Sequence, residues 1–90
     1  MKTFDIEVLN SIVNSVDVSA NTIYEVTTIR GFKEAIAQEA KFQIYNQLSN
    51  VSEYLQLTDR AIAFLVERLY SDNEELFVEK AVQSFEEAYA

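Results

Sequence analysis

Cysteine, histidine, proline and tryptophan are all missing from this 90-residue chain, and glycine occurs once, at Gly31. Each gap excludes something. Without cysteine there are no disulfides and no thiolate metal sites. Without histidine the commonest general base and transition-metal ligand is gone. Sandwiches and barrels turn tightly and often, and tight turns draw on glycine and proline, so their scarcity favours helices joined by short polar connections. No apolar run approaches about 18 residues, so no membrane span is expected. The start, Met1-Lys2-Thr3, soon reaches Asp5 and Glu7 without the apolar stretch of a signal peptide, and a reducing cytoplasm is the expected location.

Basic residues are also scarce. Seven Lys and Arg stand against fifteen Asp and Glu, a net charge of −8. Direct binding to nucleic acid or an anionic membrane needs clustered cations and is not expected. The excess is uneven: residues 1–52 hold six acidic and four basic side chains, residues 53–90 nine and three. Apolar types make up 49% of the chain, enough for one modest core over residues 1–90 and a single helical domain. Folded compactly, a chain of about 10 kDa exposes roughly 5,300 Å². Cores this small are marginal, and association is one way to add buried surface.

Periodicity supplies the elements. Val8, Leu9, Ile12, Val13 and Val16 line one face of a helix over Thr3–Val16. Asn21 to Arg30 is rich in β-branched residues, which suits a strand, yet Ile23, Val26 and Ile29 step by three; the helical reading is preferred and the strand stays open. In Phe32–Leu55 the residues Ile36, Ala40, Ile44, Leu48, Val51 and Leu55 form a continuous stripe. That helix is about 36 Å long. A compact chain of this size is roughly 31 Å across. Either Gly31 or Ser49-Asn50 breaks the helix, or the molecule is elongated. A third helix opens at Thr58 or Asp59 and ends near Tyr70, with Ile62, Leu65, Val66 and Leu69 inward. Ser71-Asp72-Asn73-Glu74 has the form of a capping box that starts a fourth helix reaching about Tyr89. On that helix Phe77, Val78, Ala81, Val82, Phe85, Ala88 and Tyr89 cover about 140°. The fold expected is all-α: an antiparallel bundle of about four helices, elongated if the long helix is unbroken, and self-associating.

Catalytic chemistry finds little footing. The serines and threonines lack a histidine base and no strand-turn-helix elbow surrounds them, while Lys33 and Lys41 have no Ser or Cys motif nearby. No enzyme activity and no cofactor are expected. Asp72, Asn73, Glu74 and Glu75 do not keep the alternating spacing or central glycine of a calcium loop. Arg30-Gly31-Phe32-Lys33 reads as a bend rather than an anion site. The Asp-Ser-Leu attachment motif of acyl carrier proteins is absent, as is the Trp-x-Gly turn of small secreted helical hairpins.

Two surface features remain. Asp72, Glu75, Glu79 and Glu86 fall within about 60° on a helical wheel, and like charges four residues apart cost a few tenths of a kcal/mol, so the row invites a reason. Solubility is the plain one; docking on a basic surface, in imitation of nucleic-acid phosphates, is the other. The second feature is aromatic. Phe64 points about 160° from Ile62, beside Arg60, Glu67 and Arg68, and on the long helix Phe42 and Tyr45 fall off the apolar stripe. Either these helices are central and covered on several sides, or another chain covers the aromatics, which with Arg are enriched at interface centres. The expected function is a protein-interaction module (a regulator, inhibitor or adaptor) that also forms a dimer, with Phe64, Arg60, Arg68, Phe42 and Tyr45 as the contact residues. Alternatives are a nucleic-acid mimic acting through the acidic row, and an assembly subunit of a larger particle such as a phage or secretion apparatus.

Overall fold

The computed structural model describes residues 6–20, 22–23 and 29–89, and among them it contains four helices and no strand. They are α1 (Ile6–Ser15), α2 (Ile29–Leu55), α3 (Asp59–Asp72) and α4 (Glu74–Tyr89). The all-α bundle expected from the sequence is what forms. The proposed start of the first helix at Thr3 lies outside the described residues, as does most of Asn21–Arg30. Of the described part, Ile29 and Arg30 belong to α2, whereas Thr22 and Ile23 form a turn whose N–H groups both bond Ser19 O, so the helical reading is corrected there.

Helix α2 runs unbroken for 27 residues through both Gly31 and Ser49-Asn50. Gly31 sits in the first turn, and Ser49 and Asn50 face solvent, so none interrupts the buried stripe. Elongation is therefore the outcome: the molecule measures 49 × 21 × 19 Å, with a radius of gyration of 14.1 Å. A compact chain of this length would have about 12 Å.

Along α2, Ile36, Ala40, Ile44 and Leu48 are fully buried, and α1, α3 and α4 all pack against it. The turn into α3 is made without glycine. Gln56 adopts φ 56°, Leu57 N–H bonds Ser52 O at 2.8 Å, and Gln56 N–H bonds Glu53 O at 3.2 Å. This 6→1 and 5→2 pair closes α2 with a left-handed residue that is usually glycine. Thr58 then caps α3 as anticipated, its Oγ1 accepting from Ala61 N–H at 3.1 Å.

The expected capping box is corrected. Ser71 and Asp72 belong to the last turn of α3, and the only residue between the helices is Asn73, with φ −122° and ψ 15°. Asn73 N–H bonds Tyr70 O at 3.1 Å, and its side-chain amide bonds Leu69 O at 2.8 Å. One non-helical residue bends a chain but does not reverse it. Tyr70 meets Lys41 of α2, and Phe85 of α4 meets Phe32, so the chain keeps moving toward the start of α2 as it passes from α3 into α4. The α3–α4 arm thus lies along α2 as one bent unit. On α4 the covered arc is narrower than expected: Phe77 and Ala81 are buried, Val78 and Phe85 half-buried, Val82 and Ala88 exposed.

The segment after α1 belongs to the core. Val16, Val18 and Ile23 are buried, and polar side chains from α2 and α4 hold their backbone. The Gln43 amide accepts from Asp17 N–H at 2.7 Å and donates to Asp17 O at 2.8 Å, pairing like a strand neighbour. Lys80 Nζ reaches Asn14 O and Val16 O, at 3.4 and 3.1 Å, placing a cation at the C-terminal end of α1. Ala20 N–H donates to Ser84 Oγ at 3.0 Å. Asp17 itself accepts from Ser19 N–H at 2.9 Å. That backbone bond and then the Ser19 hydroxyl hold its carboxyl below the ordinary carboxylate range; burial opposes them, and Thr22 and the charge of Lys80 add smaller lowering effects. A carboxyl depressed on folding contributes stability above its unfolded pKa and loses it as pH falls through the folded value. Below about pH 4, wild type should therefore lose more stability than Asp17→Asn. Urea midpoints at several acidic pH values will show the two profiles converging as pH falls; parallel profiles would remove Asp17 from the turn.

Candidate protein-binding surface

Helices α2 and α3 form an antiparallel hairpin, and its outer side is marked by an ion pair. Lys41 Nζ lies 3.0 Å from Glu67 Oε2 and also 5.2 Å from the centre of the Tyr70 ring. Tyr45 is one turn beyond Lys41, and Phe64 one turn before Glu67. Because the helices are antiparallel, both lie on the hairpin-turn side of the bridge. Phe42 follows Lys41 and is displaced about 100° round α2.

Exposure decides between the two readings of these aromatics. Phe64 is 66% exposed, Phe42 60% and Tyr45 52%. They are not core of the single chain. Arg60, one turn before Phe64, is exposed as well. Arg68 is also at the surface, with Nε 3.0 Å from Asp72 Oδ2. The five residues expected to make contact are thus all at the surface of the hairpin, with Arg68 engaged by its neighbour. Tyr54, 68% exposed in the last turn of α2, extends the aromatic surface toward the turn and was not singled out from sequence, where its i+3 relation to Val51 resembles the inner stripe.

The acidic row is divided. Asp72 ends α3 and pairs with Arg68, so it is not part of the α4 face on which the wheel placed it. Glu75, Glu79 and Glu86 are exposed on α4, and among the described residues none has an ion-pair partner. Also among the described residues, no three acidic side chains are grouped to hold a metal ion, and no helix is long and apolar enough to cross a membrane.

A shallow groove of about 370 Å³ separates α1 from α2, floored by Val8, Ile12 and Val51 and edged by Glu7, Ser11, Gln47 and Asn50. Away from this groove, Tyr70 stacks on Phe77, its hydroxyl pushed up by burial and then by Glu74. No family model, curated protein or solved structure matches this chain.

Proposed function

We propose that this chain works by binding protein, as a small regulator, inhibitor or adaptor in a reducing cytoplasm, and that it binds through the outer face of the α2–α3 hairpin. The observation that carries this reading is the exposure of Phe42, Tyr45 and Phe64 on two packed helices. Single exposed apolar residues are ordinary, but three large aromatics around one ion pair are of the types enriched at the centres of protein interfaces. Arg60, beside Phe64, is of the type that accompanies them.

A second reading rests on Glu75, Glu79 and Glu86. Four residues separate the first pair, about 6 Å along the axis, close to the spacing of successive phosphates on one strand. A row with that spacing suits the basic groove of a nucleic-acid-binding protein. The two readings separate in one experiment. Immobilised wild type should capture its partner, and Phe42→Ser/Phe64→Ser should lose capture at least about tenfold with unchanged helicity, while Glu75→Gln/Glu79→Gln/Glu86→Gln retains it. Capture unaffected by the aromatic changes, yet abolished by the glutamine changes and by salt, transfers the function to α4.

A further inference from the structure

We infer that the outer face of the α2–α3 hairpin pairs with a second copy of this chain across a two-fold axis, setting Phe42, Tyr45 and Phe64 of one copy against the same residues of the other. The inference rests on the reading of this face as an interaction surface and names its occupant.

Surface area is the first argument. The chain exposes 6508 Å². A compact protein of about 10 kDa exposes roughly 5,300 Å², so the excess is about 1,200 Å². A stable interface removes about 800 Å² from each partner. Pairing along the length of an elongated hairpin recovers an area of that order.

Charge is the second. Two copies of a −8 chain repel, so they meet where the net charge is smallest. Helix α4 holds Glu74, Glu75, Glu79, Glu86 and Glu87 against Lys80 alone, and Lys80 is turned onto the carbonyls of Asn14 and Val16 at the end of α1. Helix α2 balances Arg30, Lys33 and Lys41 against Glu34, Glu39 and Glu53. Helix α3 sets Arg60 and Arg68 against Asp59, Glu67 and Asp72, so the hairpin carries only −1 of the chain's −8. Its Glu67 and Asp72 are paired with Lys41 and Arg68. An aromatic face with nearly balanced charge suits a copy of itself better than a strongly basic or acidic partner. A two-fold arrangement also closes after two chains, because the same patch serves both. It leaves the two α4 rows on the outside.

Sedimentation equilibrium of the full chain, over about 5–500 µM, tests this directly. The expected result is a monomer–dimer equilibrium that tightens between roughly 0.05 and 0.5 M NaCl, as salt screens the repulsion between copies. Phe42→Ser/Phe64→Ser should raise the dimer dissociation constant on the order of 100-fold at unchanged helicity. Tyr45→Glu, which opposes like charges near the axis, provides the same test should the double variant lose structure. A monomer throughout, a dimer that survives these changes, or a dimer that salt dissolves would each overturn the pairing; the last would indicate α4 of one copy on the arginines of the next. Photo-crosslinking from position 64 in cells separates this from the wider reading. A product of twice the chain mass supports pairing. A product of another mass overturns pairing and leaves the interaction surface standing, and no product with a monomer in solution overturns both.

Discussion

Phe77→Ala should remove about 3–5 kcal/mol from a chain whose whole stability, at 90 residues, is on the order of 5–13 kcal/mol. Among the described residues Phe77 is the bulkiest fully buried side chain, and its ring stacks on Tyr70 with centroids 5.8 Å apart and planes 17° apart. The pair spans the bend at Asn73: Tyr70 lies in the last turn of α3, Phe77 in the first turn of α4. Truncation therefore leaves a void at the joint where the arm changes direction along α2, and the helices on either side cannot close it without altering the bend. With a urea m-value of about 1–2 kcal/mol/M for a domain this small, the midpoint should fall by roughly 2–4 M, enough to erase most of the folded baseline. Phe64→Ala provides the internal comparison. At a concentration where the chain is monomeric, it removes the same atoms from a side chain 66% exposed and should stay within about 0.5 kcal/mol of wild type. Equal midpoints for the two variants would mean that the division between buried and outward aromatics is wrong.

That division shows how far pattern reaches. The spacing of Ile36, Ala40, Ile44 and Leu48 identified the spine because a long helix repeats its inward direction enough times to be unambiguous, and all four are buried. Thr58 was legible as a cap because its hydroxyl acts on the next turn, within the sequence itself. The wheel also put Phe42, Tyr45 and Phe64 off the apolar stripes, but a direction does not say whether a neighbour lies there; exposure required the packed chain. Asp72 shows the opposite failure. It joins the acidic row only if α4 begins at Ser71, and Ser71-x-x-Glu74 satisfies the capping-box pattern equally well when Asn73 closes one helix and Glu74 opens the next. Gln56 gave no turn signal because the left-handed position it fills usually calls for glycine or asparagine. Gln43 was one good helix former among several. Its bonds to Asp17, 26 residues earlier, follow from tertiary register and leave no local trace.

The largest omission was Val18, and Val18→Asp should be among the most damaging single changes to the fold. Val16 and Val18 are each 2% exposed, separated by the outward-facing Asp17. That is the alternation of a buried extended segment, too short in three residues to stand out against the helix before it. Here Gln43 supplies both hydrogen bonds that a neighbouring strand would, so the backbone at Asp17 is satisfied while the valines on either side face inward. No buried side-chain polar atom lacks a partner among the described residues, so the site offers no surplus donor to receive a new carboxylate. An aspartate at position 18 must stay charged and unpaired, take up a proton, or pull the segment out of the core. The cost of the first course is several kcal/mol, and the others give up part of the packing or need a raised pKa. Val18→Asp should accordingly lose about 3–5 kcal/mol at neutral pH, against about 1–2 for Val18→Ala, which deletes two methyl groups without adding charge. Urea unfolding followed by circular dichroism compares them. If Val18→Asp matches Val18→Ala, the segment between α1 and α2 is solvated, and the clamps from Gln43, Lys80 and Ser84 hold a surface loop rather than the edge of the core.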